Sequence, residues 1–486
     1  MILTVCSSAT IAWAARDGLK TARADRRADR RHSARNAIIG SMREEVICAG
    51  QMPADSAAGT TAPSDLVRAI GRWSLVALVI NCIIGSGIFG LPSLIAGYLG
   101  RWAPLGYIVA GAGMAVIVAC FAEVASRFTD AGGPYLYARA AFGSLVGIQT
   151  GWLAWLVRLA ASAASANLFV DYLGEFVPQT SSGAPRIALL TAIIGVLLVV
   201  NVRGVRAGAQ VSNFFTVAKL LPLLVLVVSG GIFILTTGWR VGGGETRPGG
   251  AIEAMVLLVF AYGGFESAMI PMGEARNPRR DAPFALFTAL AVCSVVYMLI
   301  HLTVMGALPN PAGVPRPLAA AARVTMGTPG AILVTLGALF STYGLLSANI
   351  LNVPRLTFAL AQKGEFPAFF RIAHPRFRTP HVSIAIFAVL TWALSVGGGF
   401  RWNAVLSAVA RLFTYAVVCA AVPMLRRTRP GEARFHLPGG TVFAAIGIAF
   451  CAVVASRMGR SELVIVLVTG AVATLNWWWS RRTPNA

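Results

Sequence analysis

The stretch GSGIFG at residues 85–90 interrupts an apolar run over about residues 73–99. A second run, over about residues 251–272, is interrupted in the same way by AYGGFES at residues 261–267. Backbone groups freed at membrane depth cost several kcal/mol each unless protein, water or a ligand satisfies them. Paired interruptions at corresponding places in two halves of a chain therefore predict a binding site between them. Close helix packing through glycine is the alternative for either interruption alone.

The composition is that of a protein that crosses a membrane many times. Of the 486 residues, 56% are hydrophobic and only 12% are charged, whereas soluble domains carry about 25% charged residues. Each membrane-spanning helix needs roughly 20 apolar residues. Twelve segments meet this requirement, near residues 73–99, 104–125, 146–170, 186–202, 212–236, 251–272, 283–307, 329–352, 381–398, 402–425, 440–457 and 461–479.

The formal net charge of +22 fits membrane topology better than nucleic-acid binding. With a cytoplasmic N-terminus, most basic residues between the spans fall on the cytoplasmic side, as the positive-inside rule requires. Trp477–Trp479, followed by Arg481 and Arg482, indicate an interfacial anchor after the last span. We therefore expect a multi-pass protein of the cytoplasmic (inner) cell membrane, in contact with lipid, with both termini in the cytoplasm and no nucleic-acid partner.

Residues 1–63 differ from the remainder of the chain. They are rich in arginine between residues 16 and 35, and residues 53–64 are rich in Pro, Ala, Ser and Thr. Such a composition buries too little apolar surface to fold. We interpret 1–63 as a disordered basic leader and 64–480 as the membrane domain.

No enzymatic function is indicated. The seven cysteines show neither metal-ligand nor disulfide spacing, so we expect no metal and no cofactor. Cys82 lies just before the first interruption, where it either lines a cavity or packs as a small hydrophobe. The sequence contains no Walker motif, which argues against transport driven by nucleotide hydrolysis.

Several motifs, in their order along the chain, resemble the amino acid–polyamine–organocation (APC) family of permeases. They are GSGIF at 85–89, Glu123 with AGGPY at 131–135 and FG at 142–143, NVRG at 201–204, KL at 219–220 with Pro222, FAY at 260–262 with ES at 266–267, EARNP at 274–278, Arg355 with GEFP at 364–367, and RR at 426–427. Each motif is weak alone, but their order and spacing over about residues 66–480 are specific.

The resemblance implies an all-α, LeuT-like membrane fold of twelve transmembrane helices. Spans 1–5 and 6–10 would form inverted repeats at about 73–236 and 251–425, with peripheral helices at about 440–479. Helices 1 and 6 would be broken, which agrees with the interruptions seen in the sequence. The N-terminal end of a half-helix suits a carboxylate, and unwound carbonyls suit an ammonium group. An α-amino acid carries both groups.

Four ionisable residues lie well inside the predicted spans, where each costs at least about 2.5–3.5 kcal/mol at the bilayer centre; they are Arg158, Lys219, Glu266 and Arg411. Only three of the 41 basic residues are lysine. Arginine keeps its proton in proteins, whereas a desolvated lysine can release it. The resemblance implies that Lys219 lies beside the break of span 1, where sodium-coupled transporters of this fold hold sodium. We predict that Lys219 couples transport to protons; a structural tether is the alternative.

Two interpretations stay open for each of the other three. The resemblance associates Glu266 with proton coupling, and its alternative is to accept hydrogen bonds from the loosened backbone. The resemblance places Arg158 in the substrate pocket, where it either pairs with Glu266 or meets an anionic side chain of the substrate. Arg411 is interpreted as locking span 10 with Tyr415 as its partner, because buried charges are normally paired; contact with substrate is the alternative.

The predicted site combines both interruptions with positions on spans 3 and 8. The predicted substrate-binding residues are Ile84, Gly85, Ser86, Gly87, Arg158, Ser162, Phe260, Ala261, Tyr262, Gly263 and Asn349. The predicted proton-coupling residues are Lys219 and Glu266. The resemblance implies that Phe260 forms an aromatic gate. Interhelical hydrogen bonding is the alternative for Asn349.

These features predict a secondary active transporter that moves an amino acid by alternating access, coupled to protons and independent of sodium. An amino acid/polyamine exchanger is the main alternative, and a transporter-like sensor is a further one. A channel is disfavoured because the sequence has no filter motif. The expected partners are an amino acid and protons, and we expect a monomer or a homodimer.

Overall fold

The computed structural model of the protein describes residues 70–130, 132–204, 209–238 and 247–482, without the side chains of 209–218. The predicted leader, 1–63, lies outside these ranges. Within them the secondary structure is helical, apart from an isolated bridge between Ile70 and Ala275.

The described helices fall into two groups along the chain. The first group is α1 (Arg72–Ile83), α2 (Ser86–Leu99), α3 (Ala103–Ala125), α4 (Pro134–Phe142), α5 (Ser144–Leu173), α6 (Gly183–Arg203) and α7 (Ala209–Thr237). The second is α8 (Gly250–Tyr262), α9 (Phe265–Ala268), α10 (Pro278–Ala307), α11 (Pro317–Gln362), α12 (His381–Gly397), α13 (Phe400–Thr428), α14 (Gly440–Ala455) and α15 (Arg460–Arg482).

Nine helical stretches in the described ranges are long and apolar enough to cross a membrane. Three shorter apolar helices, α1, α12 and α14, accompany them. The sequence therefore folds as an all-helical protein with many apolar spans. Large apolar side chains on the outer helices α6, α7 and α15 are exposed, among them Val196, Leu235 and Leu467. Such a surface suits the hydrocarbon core of a bilayer.

Glycine and proline set several helix boundaries. Pro134 begins α4, and Gly143, with φ of 86°, separates α4 from α5. Within α11, Gly327 adopts φ of 73° and ψ of −165°, which interrupts the helix. Positive φ is readily adopted only by glycine. The predicted span at 329–352 begins just after this interruption, although helical structure begins at Pro317.

The helices that carry the two interruptions lie at the centre of the fold. α2 packs against α8, and α10 packs against α1 and α3. α5 is enclosed by α11 and α13, and Ala160, Ala164 and Ser165 on it are fully buried. Both interruptions are therefore surrounded by protein, as non-helical backbone at membrane depth requires.

A fully buried carboxylate, Glu123, connects α3 to α13. It accepts hydrogen bonds from Arg426 Nε and Nη2, at 2.7 Å each, and from Arg127 Nη2 at 3.1 Å. The backbone N–H of Leu437, just before α14, donates to the same carboxylate at 3.1 Å. A buried charge is tolerated when it is paired and hydrogen-bonded in this way.

We expect Glu123→Gln to destabilise the protein, because it removes the counter-charge of Arg127 and Arg426. Removing one partner of a buried ion pair typically costs about 3–5 kcal/mol. Thermal unfolding in detergent should show a clearly lower midpoint. Glu432→Gln is the matched control, since Glu432 and its partner Arg429 are 42% and 43% exposed at their side chains. Equal midpoints for the two variants would show that the Glu123 cluster adds nothing to stability.

Candidate functional site

The first interruption separates two helices in the middle of an apolar run. α1 ends at Ile83 and α2 begins at Ser86. Between them, Ile84 adopts φ of −73° and ψ of 95°, and Gly85 adopts φ of −130° and ψ of −141°. The last carbonyls of α1 and the first N–H groups of α2 consequently lose their intrahelical partners. Both kinds of group need another partner at this depth.

Lys219 on α7 supplies partners to the end of α1. Its Nζ donates to the carbonyl of Asn81 at 2.9 Å and to that of Ile84 at 2.7 Å. The residue is buried, and among the described residues it has no carboxylate within ion-pair distance. The ammonium group therefore lies at the negative end of the α1 dipole and is held there by neutral oxygens.

The second interruption uses two successive glycines. α8 ends at Tyr262 and α9 begins at Phe265. Gly264 adopts φ of 115°, and a Cβ at this position would lie 2.2 Å from the carbonyl oxygen of Cys82. A side chain is excluded here by the backbone conformation and by the approach of α1. The two interruptions are thus in direct contact.

A tyrosine hydroxyl also joins the two interruptions. Tyr297 on α10 places its hydroxyl 3.0 Å from the carbonyl oxygen of Ile83 and 2.8 Å from that of Ala261. The hydroxyl has one proton, so these two carbonyls compete for it. Tyr297 is fully buried, and it was not among the residues predicted from the sequence.

Glu266 holds the start of α9 and forms an ion pair across to α13. Arg411 Nε donates to Oε1 at 2.9 Å. The Tyr415 hydroxyl and the Gly264 N–H each donate to Oε2 at 2.9 Å. The ion-pair partner of Glu266 is therefore Arg411 and not Arg158, and Tyr415 bonds to Glu266 directly. Arg158 makes no hydrogen bond within this network and interacts with Glu266 only through space.

A cavity of about 50 Å³ lies between the two interruptions, α5 and α11. Seven of the eleven predicted substrate-binding residues line it: Gly85, Ser86, Gly87, Arg158, Phe260, Gly263 and Asn349. Cys82 lines it as well. Six further lining residues were not in the predicted substrate-binding set: Ile83, Ala161, Gly264, Ser267, Leu345 and Arg411.

The other four predicted residues lie behind the cavity wall. The carbonyls of Ile84 and Ala261 accept hydrogen bonds from Lys219 and Tyr297, as described above. Tyr262 donates its hydroxyl to the carbonyl of Tyr107 at 3.0 Å. These groups fix the backbone around the cavity.

Ser162, the last of the four, orients a neighbour that does reach the cavity. Its Oγ accepts a hydrogen bond from Asn349 Nδ2 at 3.0 Å and donates to the carbonyl of Arg158 at 2.7 Å. One turn further along α5, Ser165 Oγ lies 3.1 Å from Ser86 Oγ at the start of α2. Ser165 was not predicted, since a serine on an apolar helix carries no distinguishing pattern.

A family model described as "Amino acid permease" matches residues 70–479. The chain belongs to the amino acid permease family. The match confirms the family resemblance seen in the sequence motifs and covers both interruptions and every residue of the cavity. The permease is thus a multi-pass membrane protein of a family of transporters.

Individual relatives align with the permease over most of its length. The methylthioribose transporter of Bacillus subtilis (strain 168) is 26% identical over 419 residues, which cover 82% of this chain and 90% of that protein. The branched-chain amino acid permease of the same organism is 26% identical over 436 residues, covering 85% and 93%. The arginine/agmatine antiporter of Chlamydia pneumoniae is 25% identical over 425 residues, covering 82% and 87%.

We expect Gly87→Val to abolish substrate binding by the permease. A Cβ at Gly87 would lie 3.1 Å from the Cα of Ala261, so a branched side chain must push the interruptions apart. Gly195→Val on α6 is the control, because a Cβ at Gly195 would have no atom within 4 Å. Ligand-induced thermal stabilisation, screened over the proteinogenic amino acids, measures the effect. Wild-type affinity in Gly87→Val would place the binding site elsewhere.

Proposed function

We propose that the permease is a secondary active transporter that moves an amino acid across the cytoplasmic membrane by alternating access. In this proposal, inverted repeats at about 73–236 and 251–425 move around the two interruptions, in the LeuT-like arrangement of twelve spans. The helices at about 440–479 are peripheral. The single observation that carries the proposal is the contact of Lys219 Nζ with the Asn81 and Ile84 carbonyls beside the cavity. The names of the branched-chain amino acid permease and of the arginine/agmatine antiporter support an amino acid as the substrate.

The substrate binds, in this proposal, where the half-helices meet. Its α-carboxylate accepts hydrogen bonds from the free N–H groups at the start of α2, around Gly85, Ser86 and Gly87. The positive end of the helix dipole favours an anion there. The ammonium group of the substrate accepts no hydrogen bonds and instead donates to backbone carbonyls of the second interruption, near Phe260. Phe260 covers the bound substrate, and Asn349 contributes a polar group from the opposite wall. Ile84, Ala261, Tyr262 and Ser162 keep this backbone in place.

Proton coupling is assigned to Lys219. Its ammonium group is held by neutral carbonyls, so loss of the proton leaves no carboxylate without a counter-charge. Deprotonation would instead free the end of α1 and change the balance between inward-open and outward-open states. Glu266 is the second group: a proton on its carboxylate would weaken the ion pair with Arg411 and loosen the second interruption. In this proposal, a change of charge on Lys219 or Glu266 alters the hydrogen bonds that hold one of the two helix interruptions.

The contact of Lys219 with the two carbonyls at the end of α1 also supports transport that does not depend on sodium. The Asn81 and Ile84 carbonyls are the oxygens that a metal ion at the first interruption would use, and the ammonium group already occupies them. Two unit charges about 4 Å apart repel each other by about 4 kcal/mol at an effective dielectric constant near 20. A sodium ion therefore has no favourable place beside a charged Lys219.

Exchange of one amino acid or amine for another is the second candidate function. It is favoured by the similarity to the arginine/agmatine antiporter of Chlamydia pneumoniae. In an exchanger, uptake needs a counter-substrate inside the vesicle, whereas a proton symporter accumulates substrate into empty vesicles under a pH gradient. Uptake into empty and pre-loaded proteoliposomes distinguishes the two.

We expect Lys219→Ala to lose accumulation driven by a pH gradient while it retains exchange across the membrane. The change removes the titratable group without replacing any residue that lines the cavity. Proteoliposomes with pH and sodium gradients imposed separately measure both claims, and Lys363→Ala, at an exposed lysine, serves as the control. Uptake that requires sodium, or pH-driven accumulation that survives in Lys219→Ala, would overturn the coupling scheme.

A further inference from the structure

Two guanidinium groups line the cavity, those of Arg158 on α5 and Arg411 on α13. No carboxylate side chain lines it among the described residues. Glu266 lies behind Arg411, so the three side chains together carry one excess positive charge. An excess charge at membrane depth is unfavourable unless a partner balances it.

The carboxylate of Glu266 is hydrogen-bonded to Arg411, Tyr415 and Gly264 and receives no hydrogen bond from Arg158. Arg411 Nε donates to Oε1, and the Tyr415 hydroxyl and the Gly264 N–H both donate to Oε2. Arg158 has neither a hydrogen bond nor an ion pair through its guanidinium among the described residues. Five N–H donors in a planar fork are thus left to face the cavity.

Arg411 also keeps an unused donor on the cavity side. The residue is only 4% exposed, and its Nη1 is buried without a hydrogen-bond partner in the described structure. A Cβ at Gly263 would lie 2.0 Å from this Nη1, so the glycine makes room for the guanidinium at the second interruption. An unsatisfied, buried charged donor costs more than a neutral one, and an anion in the cavity would satisfy it.

A zwitterionic substrate with a neutral side chain does not balance this cavity. The charges of its α-carboxylate and ammonium groups cancel each other, and in the proposed binding mode these groups bind at the two helix interruptions. The excess positive charge beside Arg158 then persists. A substrate with one additional negative charge restores neutrality and supplies planar oxygens for the guanidinium forks.

We propose that the permease selects amino acids with an anionic side chain, and that Arg158 together with Nη1 of Arg411 binds that side chain. This inference rests on the proposed function and specifies its substrate class. Amino acids with cationic side chains are excluded, because like charges brought together in a site of low dielectric constant repel strongly. In this respect the permease differs from the relative named as an arginine/agmatine antiporter.

The test compares acidic amino acids with their neutral amides, which have nearly the same shape. L-aspartate and L-glutamate, against L-asparagine and L-glutamine, are assayed for binding to the purified wild-type protein and for uptake into proteoliposomes. We expect the acids to bind at least about tenfold more tightly than the amides, since losing one partner of a desolvated charge pair costs at least that much. L-lysine and L-arginine should not bind.

Variants then assign the preference to Arg158. In Arg158→Ala the ratio of acid to amide affinity should fall at least about tenfold. Arg158→Lys keeps the charge and should restore part of the ratio. Arg457→Ala, at an exposed arginine, should keep the wild-type ratio.

The possible failures are distinguishable from one another. If amides or other neutral amino acids bind and are transported as well as the acids, the charge assignment is wrong while amino acid transport stands. Equal loss of acids and amides in Arg158→Ala would also overturn it, since Arg158 would then bind the common α-carboxylate. If no amino acid of any class binds, the proposed function itself fails. The wild-type comparison decides the first point even where a variant does not fold.

Discussion

The structure depends on satisfying the backbone groups that two helix breaks release inside a membrane. An unpaired N–H or C=O at that depth costs several kcal/mol, so each break needs side chains from other helices. Lys219 on α7 holds the end of α1, and Tyr297 on α10 lies between carbonyls of both breaks. The cavity exists because these helices hold the backbone open around it.

Lys219, Arg411 and Arg158 differ in what balances their positive charges. Lys219 is bonded to carbonyl oxygens, which stay neutral when it loses a proton. Arg411 is bonded to the carboxylate of Glu266, so a proton on Glu266 would leave Arg411 without its counter-charge. The guanidinium of Arg158 forms no hydrogen bond or ion pair with the described residues. These three environments suit the roles proposed for the residues: proton coupling at Lys219, an ion pair between helices at Arg411 and ligand binding at Arg158.

The all-helical fold class and both breaks could be predicted from the sequence, because glycine disfavours a continuous helix and is clustered inside apolar runs of membrane length. The contacts of Tyr297 and Ser165 at the site could not be predicted, since a tyrosine or serine on an apolar helix is usually a packing residue. Glu266 and Arg411 are 145 residues apart in the chain. Whether Arg411 or Arg158 reaches Glu266 depends on how α5 and α13 are rotated about their axes, and helix rotation is set by packing that periodicity does not reveal.

The two breaks have similar compositions but contribute different features to the cavity. At the first, the chain restarts as a helix of 14 residues, so free N–H groups point at the cavity. At the second, α9 has only four residues and its first N–H groups are engaged locally, as Gly264 is by Glu266. What the second break contributes instead is space: Gly263 admits the guanidinium of Arg411, and Gly264 admits the carbonyl of Cys82. The first break therefore contributes a helix N-terminus to the cavity, and the second contributes the space that lets the guanidinium of Arg411 reach it.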